Sequence, residues 1–274
     1  MLNVSGSPRI VVGIDGSPAA VDAALWAVDQ AADHNLTLRL VYVIDTHDQQ
    51  NVDPQQQARR LATADLAMRY ALTAVESTEK PVTIEMEILQ GRPVEKLLEA
   101  AGGATLLCVG ARGLRHSTQG RIGSTAAALS AAAHCPVAIV RAHRPHSCSD
   151  RAVVIEIAGP ASSDTVLQRG LDEARRRHAP VRVLTPARRH GDAAARWERR
   201  LDEWRRRYPD LDISAVPTGA DTLDYLAAHG ASLQLLVAGR QRPGGVTPLV
   251  GAPGNTALRD TDCSILLCEA PRAL

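Results

Sequence analysis

Short apolar runs alternate with longer amphipathic stretches along almost the whole chain. IVVGI (10–14), LRLVYV (38–43), VTIEMEI (82–88), TLLCVG (105–110) and PVAIVR (136–141) are each bounded by turn-forming residues. The segments between them have helical periodicity over roughly 10 to 20 residues. Brief buried strands alternating with helices predict a parallel sheet covered by helices on both faces. The order is strand, helix, strand, helix, strand, helix, strand, glycine-rich loop, helix, strand.

The pattern then repeats. RIVVGIDGSPAAVDAALWAVDQA (9–31) lies on AVVIEIAGPASSDTVLQRGLDEA (152–174), and NLTLRLVYV on HAPVRVLTP, both at an offset of 143. KPVTIEMEILQGRPVEKLLEAA (80–101) lies on YPDLDISAVPTGADTLDYLAAH (208–229), and CPVAIV on CSILLC, at an offset of 128. The drop assigns copy two a shorter connection between its second strand and second helix, where copy one has DTHDQQNVDPQQQ. Two tandem α/β domains are expected, residues 1–143 and 151–274, joined by the polar segment RPHSCSD (144–150). A length of 274 residues suits two domains of ordinary size.

Composition narrows the function. A net charge of +1 gives no global field for nucleic acid or membrane. No apolar run is long enough to span a bilayer, and the first residues lack a secretory apolar core, so a cytoplasmic protein is expected. With no Phe in the chain, aliphatic side chains must fill the cores. The five cysteines (108, 135, 148, 263, 268) show no CxxC or zinc spacing, and most flank apolar strands, so buried reduced thiols are expected.

Open parallel sheets bind ligands at the carboxyl ends of their strands, near the switch in strand order. In copy one, strand one ends in GIDGSP. A phosphate-binding fingerprint would place glycines there; Asp15 repels phosphate instead and can accept hydrogen bonds from a ribose or base. Asp15 also suits a helix cap or a local turn. Strand two ends in LVYVID, where Val43 is either ordinary core or apolar surface beside a base. Strand four runs into GARGLRHSTQGRIGS (110–124), with four glycines, three arginines and no acidic residue. Gly110 and Gly113 permit positive φ and close backbone approach. Gly123 and Ser124 open an alanine-rich helix, with Ser124 as the expected N-cap, and a helix N-terminus favours anions. Arg112, Arg115 and Arg121 add donors. The loop lacks the lysine of a Walker A motif.

The spacing Gly110-x2-Gly113-x9-Gly123-Ser124, with IVVGIDGS before it and CPVAIVR after it, resembles the universal stress protein family over nearly the whole chain, in its tandem two-domain form. The resemblance implies two open-sheet, Rossmann-like domains of the adenine nucleotide alpha hydrolase-like kind, with strand order 3-2-1-4-5. It implies ATP as ligand, with Mg²⁺ on the phosphates. Gly110, Gly113, Gly123 and Ser124 would hold ribose and phosphates, Asp15 and Val43 the adenosine end. Arg112, Thr125 and the backbone of Ala126 stand nearby.

Copy two departs from the pattern. Glu156 replaces Gly13, Ala158 replaces Asp15, Pro186 replaces Val43, Arg242 replaces Gly113 and Ala252 replaces Ser124, while Gly239 and Gly251 are kept. One nucleotide per chain is therefore expected, in copy one. Arg240, Gly254 and Asn255 remain as a weaker anion-binding set. Twelve arginines between 175 and 207 form a basic cluster, but acidic residues at helical spacing and sparse aromatics favour solvated helix faces over nucleic-acid binding. Trp197 and Trp204 share one helix face and are expected in the core. His116 is read as a loop residue. No catalytic assembly is assigned.

The expectation is a nucleotide-binding regulator of a stress or dormancy response with at most slow hydrolysis. It acts through an unidentified protein partner, as an intramolecular domain pair, with a homodimer left open. The alternative is a ligand-free interaction scaffold of the same fold. A third reading, an ATPase or adenylyl-transferring enzyme, would require ordinary enzymatic turnover.

Overall fold

The computed structural model describes residues 8–46, 53–114, 121–143, 150–157, 163–186, 191–218 and 221–268. Of the sequence-level assignments, Arg115, His116, Gly120, Cys148, Ala158 and the linker 144–149 lie outside the described residues. The chain divides after His143 into two compact units.

In unit 1 the elements are β1 (Arg9–Ile14), α1 (Pro18–His34), β2 (Thr37–Asp45), α2 (Pro54–Glu76), β3 (Ile84–Gly91), α3 (Pro93–Ala100), β4 (Leu106–Gly110), α4 (Ser124–Ala132) and β5 (Val137–Val140). Local chemistry sets the boundaries. Ser17 caps α1 ahead of Pro18, and Asn35 in the left-handed region (φ 51°) ends it. Asp53 caps α2 ahead of Pro54, so this helix begins inside the stretch assigned to a connection. All strand pairs are parallel, in the order β3-β2-β1-β4-β5.

Unit 2 comprises β6 (Ala152–Glu156), α5 (Ser163–Arg177), β7 (Val181–Pro186), α6 (Gly191–Arg207), β8 (Ile213–Thr218), α7 (Thr222–His229), β9 (Leu233–Gly239), α8 (Thr247–Val250), α9 (Ala252–Ala257) and β10 (Ser264–Cys268). Its order, β8-β7-β6-β9-β10, is the same topology. This is the expected Rossmann-like α/β architecture in duplicate, and the second glycine-rich loop carries a short helical turn, α8.

Sheet register tests the repeat residue by residue. Gly13 pairs with Val41 and Glu156 with Leu184, which keeps the offset of 143. In the third strand, Leu38 pairs with Ile84 and Val181 with Ile213, an offset of 129 for β3 against β8 rather than 128. The value of 128 holds only at the last strand, where Leu107 pairs with Val137 and Leu236 with Ile265. Aligning Pro81 with Pro209 conceals this one-residue slip. The corrected register makes Thr222 the counterpart of Pro93, both being first residues of their helices.

Each sheet buries an aliphatic core. Every residue of β5, β6 and β10 is buried, so these strands read as continuous apolar runs rather than alternating ones. Cys108, Cys135, Cys263 and Cys268 are buried. Trp204 is buried, whereas Trp197 is half-buried with the Arg200 guanidinium 5.1 Å from its ring centre. The expected tryptophan pair in the core is thus reduced to one. The basic cluster pairs locally. Arg205 reaches Asp202 at 2.7 Å, Arg200 reaches Asp164, and the buried Glu173 takes Arg176 at 3.0 Å and Arg177 at 3.3 Å. Among the described residues, no helix is long and apolar enough to cross a membrane.

Candidate functional site

A cleft of about 510 Å³ opens in unit 1 at the carboxyl ends of β1, β2 and β4. Chain order reverses there: β2 and β3 lie to one side of β1, β4 and β5 to the other. Loops on the two sides diverge at such a point and leave a crevice.

Asp15 follows β1 directly. Its Oδ1 accepts the Ser17 N–H at 2.9 Å, and a Cβ built on Gly113 would lie 2.7 Å from its Oδ2. Asp15 therefore makes the local turn, while its second oxygen faces the glycine loop. The helix cap is Ser17, not Asp15. Ser17 Oγ accepts the Ala20 N–H at 3.2 Å and donates to the Arg112 carbonyl at 3.1 Å. One hydroxyl thus caps α1 and ties the loop after β4 to it.

Gly110 and Gly113 serve close approach rather than handedness. Positive φ occurs at Gly16 (84°) and not at Gly110, Gly113 or Gly123. A Cβ on Gly110 would lie 2.6 Å from the backbone carbon of Ala19, so glycine lets β4 and the start of α1 touch. Among the described residues, a Cβ on Gly123 would meet nothing closer than the Ala111 carbonyl oxygen at 3.8 Å. The protein's own packing therefore does not demand glycine at 123. Gly123 is one of the residues that line the cleft.

The expectation that Ser124 caps α4 is corrected. Gly123 occupies the cap (φ −68°, ψ 157°) with no side-chain hydrogen bond, and Ser124 is the first helical residue. The Ser124 hydroxyl is therefore not used as a helix cap. Helix geometry leaves the leading amides of α4 without intrahelical acceptors, at the positive end of the helix dipole.

Asp15, Val43, Gly110, Arg112, Gly113, Gly123, Ser124, Thr125 and Ala126 all line this one cleft. Residues named from segments nearly a hundred positions apart are brought together. Sequence reading missed Ser17, Arg60, Thr63, Pro93 and Leu97, which also line it. Arg60 reaches the β2 end from α2, its Nη1 donating to the Asp45 carbonyl at 3.1 Å. Nothing local marks it. Pro93 opens α3 just past the end of β3, a strand end the motif reading passed over.

Unit 2 is built differently at the same place. Glu156 and Arg242 form a two-pronged ion pair, with Nε to Oε2 at 2.6 Å and Nη2 to Oε1 at 2.8 Å. Gly254 serves packing: a Cβ there would lie 1.8 Å from the Leu249 carbonyl oxygen. Asn255 Nδ2 is 3.5 Å from the Val250 carbonyl oxygen, to which it donates. These two members of the weaker anion-binding set are thus engaged within the α8–α9 turn.

The model of the universal stress protein family matches residues 7–141. A universal stress protein of Mycobacterium tuberculosis is 45% identical over 267 residues, covering 95% of each chain. Another from the same species is 37% identical over 262 residues, covering 94% of this chain and 95% of its own. A universal stress protein crystal structure from Archaeoglobus fulgidus superposes with a TM-score of 0.72 at 14% identity, over 96% of this chain and 97% of that one, which shows the shared fold. Fold, glycine spacing and full-length similarity agree, and the chain belongs to the universal stress protein family.

Proposed function

We propose that unit 1 binds one adenine nucleotide per chain, ATP with Mg²⁺ on its phosphates, and that nucleotide state alters which partner protein the chain engages. The observation that carries this reading is the convergence on one cleft of Asp15, Gly123 and the N-terminus of α4. Asp15 offers an acceptor suited to ribose or base hydroxyl and amino groups. The α4 amides, Ser124 and Arg112 offer donors suited to phosphate. A ligand with a neutral hydrogen-bonding end and an anionic end matches that polarity. Magnesium would be held chiefly through phosphate oxygens and water, as is usual for this ion; Ser124 and Thr125 would offer hydroxyls at that end.

Catalysis is not the proposed role. Asp15 already accepts one backbone N–H, and the resemblance puts it at the adenosine end, away from the scissile phosphates. Hydrolysis is accordingly expected to be slow, below about 1 s⁻¹. The second reading, a scaffold without nucleotide, draws support from unit 2, whose corresponding place is filled by its own side chains.

Isothermal titration calorimetry with ATP, together with the small molecule released on heating the purified protein, decides between them. The expected result is one site per chain, lost in Asp15→Glu and Gly113→Ala variants that remain folded. Two equal sites would overturn the single-site reading. Absence of binding up to millimolar ATP would favour the scaffold.

A further inference from the structure

The substitutions in unit 2 that look like losses form a single constellation. By sheet register, Glu156 stands where unit 1 has Gly13, since Gly13 pairs with Val41 and Glu156 with Leu184. Thr222 stands where unit 1 has Pro93, and Arg242 where it has Gly113. Gly13, Pro93 and Gly113 all line the unit 1 cleft. Their three counterparts bond to one another: Arg242 grips both oxygens of Glu156, and Thr222 Oγ1 donates to Glu156 Oε1 at 2.5 Å.

The pair is buried, with Arg242 and Glu156 side chains 4% and 9% exposed. Removing both charges from water is costly unless the geometry is good and the remaining donors and acceptors are satisfied. Both conditions hold. The contact is a fork on a fork, and Arg242 Nη1 also donates to the Gly245 carbonyl at 3.0 Å. Gly244 and Gly245 adopt positive φ (78° and 65°), which folds the loop back so that this carbonyl meets the guanidinium. Asp221 adds a carboxylate oxygen at 3.9 Å. Burial works against the Arg242 charge, but the hydrogen bond and charge of Glu156, with Asp221, outweigh it and raise the Arg242 pKa.

We propose that the Glu156–Arg242 pair is a built-in occupant of the strand-end site of unit 2: it fills the place that forms a ligand cleft in unit 1 and ties the end of β6 to the loop after β9. Unit 2 is thereby held in one state whatever the nucleotide level, and only unit 1 responds to ligand. The closure is internal, an acid and a base supplied by the two positions where unit 1 keeps glycine. The tie in unit 2 stands independently of whether unit 1 binds ATP.

Hydrogen exchange followed by mass spectrometry on the full chain tests this. The reporters are the Arg242 and Gly245 amides, which donate to the Gly239 and Arg242 carbonyls. Without nucleotide they are expected to be protected, and ATP is expected to leave them unchanged. Arg242→Gln and Glu156→Gln should each speed their exchange by at least about a hundredfold, the lower edge of the scale of a broken buried pair. Arg242→Lys, which keeps the charge but loses the fork, should fall between. Free-peptide exchange in the unaltered protein, a change on adding ATP, or no response to any of the three variants overturns the proposal. The loop of unit 1, residues 110–114, reports separately: protection gained there with ATP tests the nucleotide reading alone.

Discussion

At the end of its first strand unit 1 has Gly13, and in the loop after its fourth strand Gly113; the same two places in unit 2 carry Glu156 and Arg242. The strand framework around them is the same, with five parallel strands in the same order and matching register between the first two. In unit 1 the missing side chains leave a cleft of about 510 Å³ beside Asp15. In unit 2 the added side chains close on each other at 2.6 Å. A duplicated fold can therefore lose a ligand site by filling it as well as by erosion. An eroded site would leave unpaired polar groups or a void, both costly. A filled site returns the binding groups' role to the protein itself.

The largest expected effect concerns the glycines each unit needs for packing. Gly110→Ala in unit 1 and Gly254→Ala in unit 2 force a Cβ to 2.6 Å and 1.8 Å from backbone atoms. Each should destabilise its unit by about 3 kcal/mol, read by urea unfolding. If either is neutral, packing is not the reason for that glycine. Next in size, Asp15→Asn keeps the side-chain oxygen that accepts the Ser17 N–H but removes the charge. Nucleotide affinity should fall by about 2 kcal/mol, roughly thirtyfold, with unfolding of unit 1 little changed. Equal affinity would remove Asp15 from the site.

Gly123→Ala separates the ligand's demand from the fold's. Its Cβ has room, so stability should change by less than about 1 kcal/mol, the scale of a changed helix cap. Nucleotide affinity should drop about tenfold, because a methyl group would be added to a residue that lines the cleft. The smallest effect concerns pH and unit 2. Burial, the dominant cause, pushes the Cys268 thiol from an ordinary value near 9 up to about 12. Burial first, and then the hydrogen bond to Asp172, raise Tyr208; burial raises Tyr225. Each group holds its proton more tightly folded than unfolded, so stability is full below pH 9 and falls as pH rises above it. Cys268 alone should cost unit 2 about 1 kcal/mol between pH 9 and 10. Flat stability of unit 2 over that range would contradict the burial argument.

Much of this was legible in the sequence, for identifiable reasons. The alternation of apolar runs predicted the parallel sheets, and self-similarity predicted the duplication, because both are local periodic signals. The glycine spacing located the cleft because glycines are placed by backbone demands that recur at fixed intervals. The finer assignments stayed open or failed where two neighbours compete for one role. Asp15 suited a cap or a local turn and makes the turn, while Ser17 caps α1; Ser124 was expected to cap α4, and Gly123 does. In each case the motif residue lies one or two positions from the cap, and composition cannot say which hydroxyl or carboxylate the helix takes. Gly110 and Gly113 were read as permitting positive φ and close approach, and close approach is what they supply. That distinction depends on the distance to Ala19 and Asp15.

The sequence by itself determined the duplicated α/β architecture, the candidate ligand end of unit 1 and the positions where unit 2 departs from it. These follow from hydrophobic period, repeat offset and glycine spacing, which act over a few residues. Tertiary structure alone decided what the departures mean. Glu156 and Arg242 are 86 residues apart in the chain, and each looks like a defect when compared with its counterpart. Parallel strand pairing places β6 beside β9, and that neighbourhood turns two isolated charges into one buried, mutually satisfied pair.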